Sequence, residues 1–127
     1  MKRLALLTLA LVSLPSYAKP VYLSCSTTYE TDAPRAFSVT IDEETGKVTH
    51  RFSNGLAFNA DGFFSANEVS YKKVDCSKTC MTQTFTINRV DLTVVSSMVI
   101  SARNVGESPP ITTSGTCQFE TAPDRKF

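Results

Sequence analysis

The sequence predicts an all-β fold: a small antiparallel meander β-barrel of about seven or eight strands, stapled by disulfides, with a β-sandwich as the alternative. Three observations carry this reading. Apolar residues recur mostly at every second position, the period of half-buried strands. The turn-forming sequences Glu43-Glu44-Thr45-Gly46, Ser53-Asn54-Gly55 and Asp61-Gly62 fall between those runs, where hairpins need residues tolerant of positive φ. Four cysteines in an exported chain read as a disulfide framework, and such frameworks stabilise small domains with limited cores.

The chain has 127 residues, 42% hydrophobic and 20% charged, the composition of one ordinary globular domain. Thirteen Lys plus Arg oppose twelve Asp plus Glu, a balance that lacks the electrostatic footprint of nucleic-acid binding. Residues 1–18 read as a signal peptide. Lys2 and Arg3 give the positive start, Leu4 to Leu14 the apolar stretch, and Ser16 and Ala18 the small residues before the cut. An apolar run of roughly 11 residues is short of the ~20 needed to span a bilayer. The expectation is therefore a periplasmic or secreted protein without stable membrane insertion. Residues 19–120 form a single β domain and 121–127 a flexible C-terminal tail.

Val21 to Tyr29 opens the domain. Phe37, Val39 and Ile41 then alternate with Ser38, Thr40 and Asp42, and the return strand places Val48, His50 and Phe52 on one face. After the Asn-Gly turn, Leu56, Phe58 and Ala60 resume the pattern. Phe63 to Val74 carries two signals. Ser65 and Glu68 fit a capping box that would start a helix, whereas Val69, Tyr71 and Lys73 alternate against Ser70, Lys72 and Val74; strand is the preferred reading. Phe85 and Ile87 face one way on the next strand, and Val90, Leu92 and Val94 form an apolar set out of phase with them. A bulge or tight turn is therefore expected within Asn88 to Asp91. Met98, Ile100 and Ala102 continue a strand, and Gly115 to Glu120 closes the domain with Cys117 and Phe119 inward.

Of the three possible disulfide pairings, Cys25 with Cys117 and Cys76 with Cys80 is preferred, because the first pair brackets the domain and the second sits at a hairpin tip. The long bridge closes a loop of roughly 92 residues and is expected to contribute about 4 to 5 kcal/mol, the short one roughly 2. One histidine and no second C-x-x-C argue against a metal site, and no cofactor motif occurs.

Cys25 near the start of the exported part, Phe85-Thr-Ile-Asn-Arg89 in a late strand and Gly115-Thr-Cys117 near the end give a layout that resembles small exported proteins of proteobacteria. That resemblance implies export and a β fold and brings no activity with it. Periplasmic lysozyme inhibitors are similar in size, export and barrel form. Their Ser-Gly-centred loop followed by Tyr is matched only poorly by Ser65-Ala-Asn-Glu-Val-Ser-Tyr71.

Catalysis of the Ser-His-Asp or Cys-His type needs a base beside its nucleophile, and His50 is the one candidate of that kind. Its flanking Val48 and Phe52 mark it as a barrel-wall residue. The acidic residues Asp42, Glu43 and Glu44 sit on a turn, where solvation is the simpler role. The expected function is therefore a non-enzymatic binding protein, of inhibitor or immunity type, acting on an envelope or secreted protein. Lys72, Lys73 and Lys78 near the Cys76–Cys80 tip are the expected contact residues. The alternative is a small-molecule binder using the barrel interior, lined by His50, Phe58 and Tyr71.

Overall fold

The computed structural model describes residues 19–29 and 33–121. The signal peptide expected over 1–18, and the tail expected over 121–127 from residue 122 onward, lie outside the described residues.

Among the described residues, ten strands form one antiparallel sheet. In chain order they are β1 (Val21–Thr28), β2 (Arg35–Asp42), β3 (Lys47–Phe52), β4 (Ala57–Asp61), β5 (Phe63–Phe64), β6 (Glu68–Cys76), β7 (Thr79–Asn88), β8 (Thr93–Ala102), β9 (Gly106–Glu107) and β10 (Ile111–Phe119). The spatial order is β4-β3-β2-β1-β10-β8-β7-β6-β5, with β9 folded back on β8. Apart from the β9 spur, neighbours in space are neighbours in sequence, and the first and last strands pair: this is the meander barrel. The count exceeds seven or eight because two strands, β5 and β9, have only two residues each.

The ring is nearly closed. β4 and β5 are its two edges, and side chains cross the seam where backbone bonds do not. The Phe58 ring lies 6.2 Å from Tyr71, and the Lys73 ammonium sits 5.3 Å from the Phe52 centroid and 5.7 Å from that of Phe58. A cation over two aromatic faces covers an edge that would otherwise invite another strand.

Alternation sends Leu23, Cys25, Phe37, Val39, Ile41, Val48, Val69, Tyr71, Phe85, Ile87, Val94 and Cys117 into one core. Gly46 and Gly55 take positive φ in the hairpin turns, as the spacing requires. The Ser65/Glu68 signal resolves as a turn. Glu68 N–H donates to Ser65 Oγ at 3.0 Å, and Ser65 N–H donates to the Glu68 carbonyl at 2.9 Å. The capping hydrogen bond forms, but it closes the β5–β6 hairpin because the residues beyond it alternate with period two.

The phase slip after Asn88 is a tight turn. Asn88 Oδ1 accepts from the N–H groups of Val90 and Asp91 at 2.8 and 3.1 Å, an Asx arrangement within the four residues that reverse the chain between β7 and β8. Val90 is 78% exposed at its apex and does not join Leu92 and Val94 inside. Leu92 adopts φ 60°, a conformation costing an L-residue about 1–2 kcal/mol, and in exchange its side chain packs on the core.

Two readings of the last strand need correction, the inward placement of Phe119 and the start at Gly115. Phe119 is 71% exposed although its β1 partner Leu23 is buried, because β8 pairs with β10 only as far as Thr116 and does not cover it on the other side. Gly115 lies within a strand that starts at Ile111 and is not its first residue. A Cβ there would stand 1.8 Å from the Ser26 carbonyl oxygen, so glycine is what permits β10 to approach β1.

Candidate functional site

Three regions carry chemistry: the sealed centre, the end where β6, β7, β8 and β10 overrun the barrel, and the opposite end at the β7–β8 turn.

At the centre, His50 on β3 is fully buried. Its ring lies 4.5 Å from the centroids of Phe37, Phe52 and Phe85 and 5.0 Å from that of Phe58. Nδ1 lies 2.7 Å from the Tyr71 hydroxyl, whereas Nε2 has no partner among the described residues. Satisfaction chooses the tautomer. If Tyr71 O–H donates to Nδ1, only the Nε2 proton is orphaned, and it faces aromatic surface, a weak acceptor. The opposite arrangement would strand both the Nε2 lone pair and the phenol proton. Burial holds the imidazole down at about 4, and the Lys73 ammonium pushes the same way. Burial also pushes the Tyr71 phenol up. His50, Phe58 and Tyr71, expected to line a ligand space, are thus brought together and close upon one another.

At the overrunning end, the last β1–β10 pair is Thr28 with Ser114, but β10 continues back to Ile111, β8 on to Ala102, and β6 and β7 to their tip. Cys76 and Cys80 are paired across that tip and joined by a disulfide, as are Cys25 and Cys117 across β1 and β10. Both expected bridges are present, and no described cysteine is free.

Register gives the face of the overrun that continues the barrel interior. Lys73, Gln83, Met98 and Ile111 stand in one row, with Asp75, Met81 and Ile100 in the next. Ile100 and Ile111 are 38% and 40% exposed, and Met81 and Met98 are half-buried.

The three lysines expected at this end do not form one patch. Lys73 turns inward, pairs with Asp75 at 3.0 Å and covers the seam. Lys72 takes the outer face, and Lys78 lies exposed in the tip loop. Neighbours on a strand point to opposite faces, so adjacent lysines cannot share a surface.

At the opposite end, Arg89 ties its own turn to two other segments. It donates to Glu43 Oε1 and Oε2 at 3.2 and 2.7 Å and to the Ser65 carbonyl at 2.9 Å. Beside it opens a recess of about 300 Å³, floored by Leu23, Ile41, Val69 and Ile87, with Val21, Leu92 and Phe119 at the lip and Lys19, Glu43 and Arg89 at the rim. Sequence reading missed this cluster. Glu43 and Arg89 are 46 residues apart and carry no local pattern, and only the inward phase of Leu92 hinted at an apolar floor.

These features define a class: a small antiparallel barrel with a sealed aromatic centre, covalently closed between its first and last strands, with a stapled extension at one end and an apolar recess at the other. Comparison with protein-family models, curated proteins and solved structures gave no match to this chain.

Proposed function

We propose that this protein is a non-enzymatic, exported binding protein of inhibitor or immunity type, and that the overrunning end is its contact surface for an envelope or secreted protein. The observation that carries the reading is the apolar patch of Met81, Met98, Ile100 and Ile111, spread over two adjoining rows and left open beyond the last β1 pairing. Methionine adapts its shape to a partner, and interface cores are enriched in it. Lys78 and Arg103 are exposed near this face together with Asp75 and Glu107, a border of mixed charge that suits a partner with complementary charges around an apolar patch. The Cys76–Cys80 bridge limits the ordering cost of binding by holding the tip in one shape.

Two disulfides are compatible with an oxidising, exported environment. Against catalysis stands the placement of His50, sealed among rings with its imidazole neutral at physiological pH.

The test is capture from an envelope extract by the wild-type protein and by two variants, Met98→Lys with Ile100→Lys at the overrunning end and Phe119→Ser at the other. A partner retained by Phe119→Ser and lost by the double variant, with both variants folded, supports the proposal. A partner held equally by all three, or none captured by wild type, overturns it.

A further inference from the structure

The recess at the Arg89 end has a composition that the proposed protein contact does not use. Its floor is buried hydrocarbon, yet its lip leaves Val21 37% and Phe119 71% exposed to water. Three charged residues stand at the rim. Glu43 and Arg89 neutralise each other through two hydrogen bonds, and Lys19 is in no ion pair among the described residues. The rim therefore carries net positive charge over an apolar pit, from the Lys19 ammonium and, after the expected cut following Ala18, from the α-amino group of the same residue. Such a pit has differential affinity for a molecule with a hydrocarbon chain at one end and a single negative charge at the other.

We infer that this recess binds a small monoanionic amphiphile, a carboxylate on a medium-length hydrocarbon chain, with the chain on Leu23, Ile41 and Ile87 and the carboxylate at Lys19. A volume of about 300 Å³ holds on the order of ten water-sized groups, which limits the chain to about eight to ten carbons. The Glu43–Arg89 pair has a positioning role: it ties the β2–β3 turn to the β5–β6 turn through Ser65 and so fixes the width of the mouth. Leu92, held at positive φ, supplies one wall.

The experiment is calorimetric titration of the purified protein with hexanoate, octanoate, decanoate and 1-octanol, all below micelle-forming concentrations. Affinity is expected to rise about three- to fourfold per methylene from hexanoate to octanoate, then to level off when the chain outgrows the recess. Octanoate is expected to bind at least about fivefold more tightly than 1-octanol, an advantage lost in Lys19→Glu, whose carboxylate offsets the α-amino group that residue 19 carries once the leader is removed. Phe119→Glu is expected to abolish octanoate binding. Lys19 and Phe119 are both exposed, so melting temperature should hold in each variant and separate lost binding from lost folding. No heat with octanoate, equal affinity for octanoate and 1-octanol, or unchanged affinity in Lys19→Glu would overturn the proposal. Met98→Lys with Ile100→Lys should leave octanoate binding intact, which keeps this test independent of the protein-contact reading.

Discussion

The two disulfides do different physical work although each joins directly paired residues on adjacent strands. Cys25–Cys117 spans a sequence separation of 92, is buried, and fastens the first strand to the last. Cys76–Cys80 spans 4, is largely exposed, and pins a hairpin whose backbone pairing continues along the whole of β6 and β7. Cross-linking restricts the unfolded chain more when the loop is longer, so the first bridge bears on whether the barrel exists and the second on the shape of one end. Sequence separation, not sulfur chemistry, sets the difference.

The largest expected effect comes from breaking the first bridge. Cys25→Ala with Cys117→Ala is expected to lower unfolding free energy by about 4 to 5 kcal/mol, measured by denaturant titration, and to unfold much of the population if total stability is near the lower end for small domains. A loss below about 2 kcal/mol would mean that β1–β10 backbone pairing alone holds the ring. The same closure can be attacked without touching sulfur. Gly115→Ala places a methyl 1.8 Å from the Ser26 carbonyl oxygen, and a loss of about 3 kcal/mol or more is expected as β10 is driven off β1.

Acid should weaken the barrel wall through His50. Its pKa is about 4 in the folded protein against 6.5 when exposed. Because the folded value is depressed, the unfolded chain binds the proton first. This residue's contribution is therefore complete above about pH 6.5 and is lost as pH falls towards 4, by roughly 3 kcal/mol in all. His50→Gln should flatten that slope between pH 6.5 and 4, as read by denaturant unfolding at three or four pH values. An unchanged slope would show that other groups set the acid limit.

Opening the tip is the mildest change. Cys76→Ser with Cys80→Ser is expected to cost roughly 2 kcal/mol or less, with near-native circular dichroism and faster hydrogen exchange confined to the β6–β7 end. A loss equal to that of the first bridge would remove the distinction between the two.

Much of this architecture was legible along the chain because it depends on local rules. Period-two alternation marked the strands from Val21 to Phe58, glycine and asparagine marked their turns, and cysteine spacing indicated both bridges. Burial answers to alternation only while neighbouring strands exist to cover a residue. That is why Phe119, apolar and in phase, remains exposed, and why Met98 and Ile100 sit on the interior face yet beyond the barrel's wall; Val90 is exposed because it stands at a turn apex, where alternation does not apply. The Ser65/Glu68 pattern specified a hydrogen bond correctly but not the backbone around it, since the same side-chain bond fits a helix start and a tight hairpin.

What the sequence determined by itself was the all-β class; it favoured a meander barrel over a sandwich and one cysteine pairing among three, through spacing between residues near one another and a count with few solutions. Tertiary structure decided where the ring stays open, that Lys73 covers its seam, that His50 meets Tyr71 while Nε2 meets only rings, and that Glu43, Ser65 and Arg89 converge beside an apolar recess. Those outcomes depend on closure of the sheet, which brings together residues tens of positions apart. No periodicity along the chain records which of them will meet.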